Sequence, residues 1–228
     1  TEPVHSAQMF ESRTSVGMTN IPAPQIAFRT SGYTLPGDGG GALYKRVSTQ
    51  PTHSGKVQSL DGAWFEIAEN FPVPRQFGAV EDGVTYDTVA VQSAIDYVYA
   101  KGGGDVQLTG RYHSGNIDVK AGVKLSGSFR APTFNRGAGV FDLATQAPVI
   151  FLDADASLTV RGNAAAEGFT LVRYGLVIGD APTTFLGTAI KIRGNDAYVG
   201  DMMIAGFDKA IEGISPLDGE RCARHHFQ

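Results

Sequence analysis

The chain has 228 residues, 42% of them hydrophobic, which suits one elongated domain or two compact ones and excludes global disorder. Its formal net charge is −4 and only 18% of residues are charged, so its composition makes nucleic acid a poor expectation as a partner. A single cysteine, Cys222, excludes a disulfide framework or a cysteine zinc site within one chain, and the longest apolar run, Val149-Ile150-Phe151-Leu152, is far too short to cross a bilayer.

Residues 1–20 carry only a weak apolar pattern (Val4, Met9, Phe10, Val16) that assigns no element. No signal peptide is readable, and the chain opens at Thr1, so a trimmed start is expected. Ile21-Pro22-Ala23-Pro24 excludes a helix, because each proline removes a donor and restricts the residue before it. Ile26, Phe28 and Thr30 alternate as in a strand. The turn cluster Gly37–Gly41 precedes the strand-like Ala42–Val47. Lys56–Leu60 and Ala63–Ile67 flank Asp61-Gly62, a hairpin signal. Residues 21–70 thus read as a small all-β module, with Pro72 and Pro74 marking a linker.

Beyond Arg75 the pattern changes. Val91, Ala94, Ile95 and Val98 stand at i, i+3, i+4 and i+7 and predict a helix near 87–100, with Asp87 as N-cap and Gly102-Gly103-Gly104 as terminator. Short strands broken by glycine and asparagine follow at Val106–Leu108, Ile117–Val119, Val123–Leu125, Val149–Leu152, Leu158–Val160, Phe169–Val172, Leu176–Ile178, Ile190–Ile192 and Met202–Ile204. Glycine, at 29 residues, is nearly twice its usual ~7% share, which fits tight turns between such strands. A spacing of 21 links Leu108, Phe129, Ile150, Leu171 and Ile192, the length of one β-helix coil; at that length residues 105–228 hold about five coils. Arg130–Thr145 does not fit the period and reads as a loop insertion. An ordinary β-sandwich with irregular loops is the competing reading.

The stretch Phe77-Gly78-Ala79-Val80-Glu81-Asp82-Gly83-Val84-Thr85-Tyr86-Asp87-Thr88-Val89-Ala90-Val91-Gln92-Ser93-Ala94-Ile95-Asp96 resembles the opening motif of pectate-lyase-like β-helix proteins, a group that includes bacteriophage tailspikes and fibres. The usual form is FGAxGDGxTDDTxAIQxAI. Glu81 stands where glycine is usual and Tyr86 where aspartate is usual, and neither touches the helical face. The resemblance implies a mostly β fold: a small N-terminal β module and linker (1–74), then the helix-capped start of a right-handed parallel β-helix (75–228) that runs on beyond Gln228. The helix covers the open end of the coils, whose apolar side chains and strand edges would otherwise aggregate. Gly37–Tyr44 with Asp61–Ile67 also resembles the β module that precedes the β-helix in phage spikes.

The function implied is a phage or phage-like spike or fibre. It would attach to the particle through residues 1–74, assemble as a homotrimer, and recognise and degrade bacterial surface polysaccharide through its full-length β-helix. A non-catalytic receptor-binding spike and a secreted polysaccharide lyase are the alternatives. Localisation on the virion follows, without membrane insertion. No cofactor and no metal are expected, and the catalytic residues remain unassigned, residues 1–228 alone being expected to attach but not to depolymerise. Asp82 and Asp87 read as structural rather than as a catalytic pair. Asp196, Asp201 and Asp208 could line a sugar groove but read first as solvated turn carboxylates. His225-His226, near Glu220, Arg221 and Arg224, would point to opposite faces of a strand and cannot easily share a metal. Trp64 and Tyr44 could stack on sugars but more often form the core of a small module.

Overall fold

Short alternating runs need a partner on each strand edge, and this chain finds partners in two ways, before and after residue 80. The computed structural model describes residues 8–128, 148–176 and 185–214, with strand segments at 134–135, 140–141 and 226–227. In the first part, β1 (Gln8–Phe10), β2 (Ala27–Thr30), β3 (Leu43–Val47), β4 (Lys56–Gln58) and β5 (Trp64–Ile67) form one sheet in the order β1-β2-β3-β5-β4. β1 is parallel to β2, and the other neighbours are antiparallel. One face is aromatic: Phe28 meets Phe10 and Phe65 edge-on at 4.8 Å each and stacks on Tyr44 at 5.4 Å. The unassigned N-terminal residues supply β1 and a short helix α1 (Arg13–Gly17) capped by Ser12, and Phe10 and Val16 join the core. Asp61-Gly62 turns β4 into β5 as expected. Ile26 leaves the expected alternation: the strand starts at Ala27, and Ile26 is exposed.

Residues around Pro72 and Pro74 are packed. Pro74–Phe77 is a 3₁₀ helix whose Pro74, Gln76 and Phe77 are buried. β6 (Asp82–Tyr86) and α2 (Thr88–Ala100) follow. Val91, Ala94, Ile95 and Val98 are buried as the spacing predicts, and Ala90 and Tyr97 are buried as well, so the apolar face is wider than one stripe. The reason is that α2 has two neighbours. It covers the first coil, and on its other side the Tyr97 hydroxyl donates to the Ile67 carbonyl (2.7 Å) while Lys101 Nζ meets Glu66 Oε1 (3.0 Å). Gly102-Gly103-Gly104, all at positive φ, end the helix, with the Gly103 amide bonded to the Val98 carbonyl.

The remainder is a stack of coils. β7 (Gly104–Leu108), β8 (Arg111–Ser114) and β9 (Ile117–Val119) make the first. β10 (Val123–Gly127), β13 (Val149–Leu152) and β14 (Leu158–Arg161) make the second, which also carries a small antiparallel pair, β11 (Phe134–Asn135) with β12 (Val140–Phe141). β15 (Ala165–Glu167), β16 (Thr170–Arg173) and β17 (Thr188–Arg193) make the third; β18 (Tyr198–Gly200), β19 (Met203–Ala205) and β20 (Lys209–Ile214) the fourth; β21 (His226–Phe227) returns to the first wall. Three parallel walls result: β7-β10-β15-β18-β21, β6-β8-β13-β16-β19 and β9-β14-β17-β20. Each sends one apolar column inward, such as Tyr112, Ile150, Leu171 and Ile204, or Ile117, Leu158, Ile190 and Ile211.

The uniform 21-residue register is corrected. Ile150 does pair with Leu171, but Leu108 lies on a different wall and Ile192 on the third, where it pairs with Val160. The coil length varies because insertions at the corners leave the inward columns undisturbed: Val106 and Leu125 pair 19 apart, Leu125 and Ala166 41 apart. Most of the expected Arg130–Thr145 insertion, Phe129 and the Val177-Ile178 end of the expected strand at 176–178 lie outside the described residues, and Leu176 belongs to no strand. β8, β15, β18 and β20 were not expected from the sequence.

Candidate functional site

The carboxylates and turn residues of the opening motif are engaged within the chain. Asp82 accepts from the Val84 and Thr85 amides (2.8 and 2.7 Å), and the Thr85 amide leads those contacts in holding its carboxyl below the usual range. Asp87 occupies the N-cap position, but its side chain does not bond to the helix; it accepts from the Val80 and Glu81 amides (2.8 and 3.1 Å) instead. Burial pushes the Asp87 carboxyl up against the pull of those amides. Gly78 and Gly83, at φ 98° and 79°, permit the turns on either side. Glu81 also has positive φ, 62°, which explains why glycine is usual there. Its buried carboxylate takes Tyr112 Oη (2.8 Å) and Thr109 Oγ1 (3.1 Å), and Arg75 Nε lies at 2.7 Å in an ion pair whose angle is too poor for a hydrogen bond.

Tyr86, the other departure from the motif, joins a clasp across the β6-β8-β13-β16 wall. His113 Nδ1 donates to the Val84 carbonyl (2.9 Å), and His113 Nε2 lies 2.9 Å from Asp153 Oδ1. The Tyr86 hydroxyl donates to Asp153 Oδ2 (3.2 Å), and Tyr174 stacks on the imidazole at 3.6 Å and 9°. Both Asp153 oxygens and both His113 nitrogens are occupied within the chain, so this cluster ties coils together.

A basic groove lies on the outer face of the third wall. Three neighbouring strands of this wall carry the same four-residue pattern of apolar, polar, apolar and cation: Ile117-Asp118-Val119-Lys120, Leu158-Thr159-Val160-Arg161, and Ile190-Lys191-Ile192-Arg193. The apolar positions point inward and the others outward. Arg161 and Arg193 are direct partners, and Lys120 follows the Val119–Val160 pair by one residue, so three cations share one column. Asp118 takes Arg161 in a two-point contact, Nε at 2.8 Å and Nη2 at 3.0 Å. Lys120 Nζ meets Asp96 (2.8 Å) and lies over the Tyr99 ring at 5.2 Å. Among the described residues Lys191 and Arg193 make no ion pair. Two open depressions of about 380 and 280 Å³ share Asp118, Arg161 and Arg193; Tyr99 lines the first, and Asn116, Ser157 and Thr159 line the second. The sequence reading missed this groove, although the thrice-repeated pattern was its visible signal.

The carboxylates considered from sequence do not converge. Asp196, Asp201 and Asp208 are exposed at three successive corners, between β17 and β18, β18 and β19, and β19 and β20. Asp196 and Asp201 adopt positive φ (58° and 48°), as turn residues do. Tyr44 is fully buried, and Trp64 is half-buried with Lys56 Nζ 5.8 Å from its ring. Glu220, Arg221, Cys222, Arg224 and His225 lie outside the described residues, as does the side chain of His226. Among the described residues no cluster could hold a metal ion, and no helix is long and apolar enough to cross a membrane.

No protein-family model matches the chain. Residues over a stretch of 63, 24% of the chain, are 41% identical to the mannuronan C5-epimerase AlgE2 of Azotobacter vinelandii, of which they cover 6%. Among solved structures the chain is similar to tailspike protein gp49 of Acinetobacter baumannii bacteriophage Fri1, a capsular polysaccharide depolymerase, with TM-score 0.68 and 21% identity over 97% of this chain. It is also similar to the enzymatically active domain of tailspike protein 2 of bacteriophage CBA120, with TM-score 0.59 and 15% identity over 86% of this chain. The chain spans 42% of the first structure and 34% of the second. Its fold is therefore the right-handed parallel β-helix, capped by a helix, that these phage tailspikes carry.

Proposed function

We propose that this chain is the particle-proximal part of a phage or phage-like spike whose full-length, homotrimeric β-helix recognises and degrades a bacterial surface polysaccharide. The observation that carries the reading is the likeness to gp49 over 97% of the chain, N-terminal sheet and capped coils together. In this reading residues 1–74 attach to the particle; the sheet within them meets α2 through Tyr97 and Lys101, on the side away from the coils. The flank groove is the glycan-facing feature that these first coils contribute, while hydrolysis or elimination takes place further along the β-helix. The test uses the full-length protein on purified host surface polysaccharide, with chain length followed by size exclusion and the protein's mass by light scattering. Shortening of the polymer by a trimer is the expected result; a monomer that neither binds nor shortens it would overturn the reading.

A further inference from the structure

A sheet that stacks like charges in register is less stable than one that alternates them, so a column of cations in the β-helix calls for an anion. The rungs here are about 4.8 Å apart. The first two cations are answered within the chain: Lys120 by Asp96, Arg161 by Asp118. The third coil is not balanced in this way. Arg193 is exposed, and Lys191, two residues away on the same face, lies between Thr159 and Glu212 across the ladder. That carboxylate is itself engaged by Lys209 (3.3 Å) and Thr188 (3.2 Å).

We propose that this column binds an acidic polysaccharide, with one sugar carboxylate seated on Arg193 and Lys191 and the chain running along the β-helix axis across the rungs. The proposal rests on the polysaccharide reading above and specifies the charge class of the sugar. Asp118 supplies the template: its carboxylate fills the guanidinium fork of Arg161 at two points, and Arg193 presents the same fork one rung on with no partner carboxylate among the described residues. The surroundings suit a sugar better than a bare anion. Asn116, Ser157 and Thr159 line one depression with neutral polar groups, and Tyr99, 51% exposed, offers a ring face at the edge of the other. At 380 Å³ the first depression lies at the lower end of the roughly 300–1,000 Å³ of small-ligand sites and the second, at 280 Å³, just below it; the two share Asp118, Arg161 and Arg193 in their lining. The chain's overall charge of −4 makes the patch local, which suits carboxylates spread along a glycan rather than a dense polyanion.

The test is amine acylation of Lys191 in the full-length protein, followed by mass spectrometry, with three probes at equal concentration: a short oligogalacturonate, a neutral dextran oligosaccharide and inorganic phosphate. The oligogalacturonate is expected to slow Lys191 labelling several-fold while dextran and phosphate leave it unchanged. Arg193→Gln should remove that protection without lowering the melting temperature. Unchanged labelling with oligogalacturonate would overturn the proposal. So would equal protection by phosphate, which marks a simple anion contact, or a Lys191 that is unreactive without sugar because another subunit covers it. If these fail while the protein still shortens its host polysaccharide, only this inference falls. If Lys191 is protected but no host polysaccharide is bound or shortened, the functional reading falls and the site stands.

Discussion

Glu81 shows how one residue can break a local rule and be held in place by its surroundings. A non-glycine residue at φ 62° costs about 1–3 kcal/mol. Against this stand two hydroxyl donors and an arginine on a fully buried carboxylate, and a hydrogen bond to a charged group contributes about 1.5–3 kcal/mol. The strain is thus of the same order as one such hydrogen bond, and the network holds the carboxylate in place. Burial and the neighbouring Glu81 push the Tyr112 phenol well above its ordinary range, so it remains a donor at any working pH. Tyr112→Phe is expected to lower stability by about 1.5–3 kcal/mol in urea unfolding, because it leaves Glu81 a buried oxygen without its donor. A loss within experimental error would show that the strain at Glu81 is balanced elsewhere.

At the scale of elements, α2 was legible because its periodicity is local and Gly102 ends it within one turn. Its extra burial at Ala90 and Tyr97 was not, since nothing within the helix reveals a second neighbour. Ile95→Ala should cost about 2–5 kcal/mol, because Ile95 is fully buried against the first coil. Val89→Ala, on the same helix but 78% exposed, should stay within about 0.5 kcal/mol. Denaturation midpoints of the two variants check the pair, and equal losses would mean that α2 does not cover the coils. The strands differ in legibility for a related reason. Leu158–Val160 and Ile190–Ile192 carry β-branched alternation, whereas β15 is Ala165-Ala166-Glu167 and becomes a strand because β10 and β18 pair with it on both edges.

For the whole molecule, the N-terminal sheet and α2 meet in a largely buried joint of charged and aromatic groups. His53 Nε2 lies 3.1 Å from Glu66 Oε2, its ring meets Tyr97 edge-on at 4.9 Å, and its Nδ1 has no hydrogen-bond partner among the described residues. Burial is the main cause that draws the His53 pKa below its ordinary 6.5; the Glu66 carboxylate opposes it, and Lys101 and Lys56 add to it. For Glu66 burial acts upward, but Lys101, Lys45 and His53 draw its carboxyl below 4.5. Both shifts have the same sign for stability: the unfolded chain takes up each proton first. The His53 contribution is thus full above about pH 6.5 and is lost as pH falls through the depressed value, with Glu66 following in more acid solution. Unfolding free energy measured from pH 7.5 to 5 should fall with acid in the wild type and fall less steeply in His53→Gln; identical slopes would remove His53 from the account.

What the sequence by itself determined is the set of local choices. Alternation gave each strand an inward face, the i, i+3, i+4, i+7 spacing gave the helix, glycines marked the turns, and the opening motif pointed to a capped coil. The tertiary structure alone decided which residues meet. Parallel strands in a β-helix pair across whole coils, here from 19 to 41 residues, and corner insertions change that distance without disturbing the inward columns. No local rule counts through an insertion. Tyr86 therefore meets Asp153, and Arg161 comes to lie under Arg193, only because separate coils stack in register. The same physics separates Asp196, Asp201 and Asp208, close in sequence but placed at successive corners of one coil, and gathers the basic groove from three strands that the sequence keeps far apart.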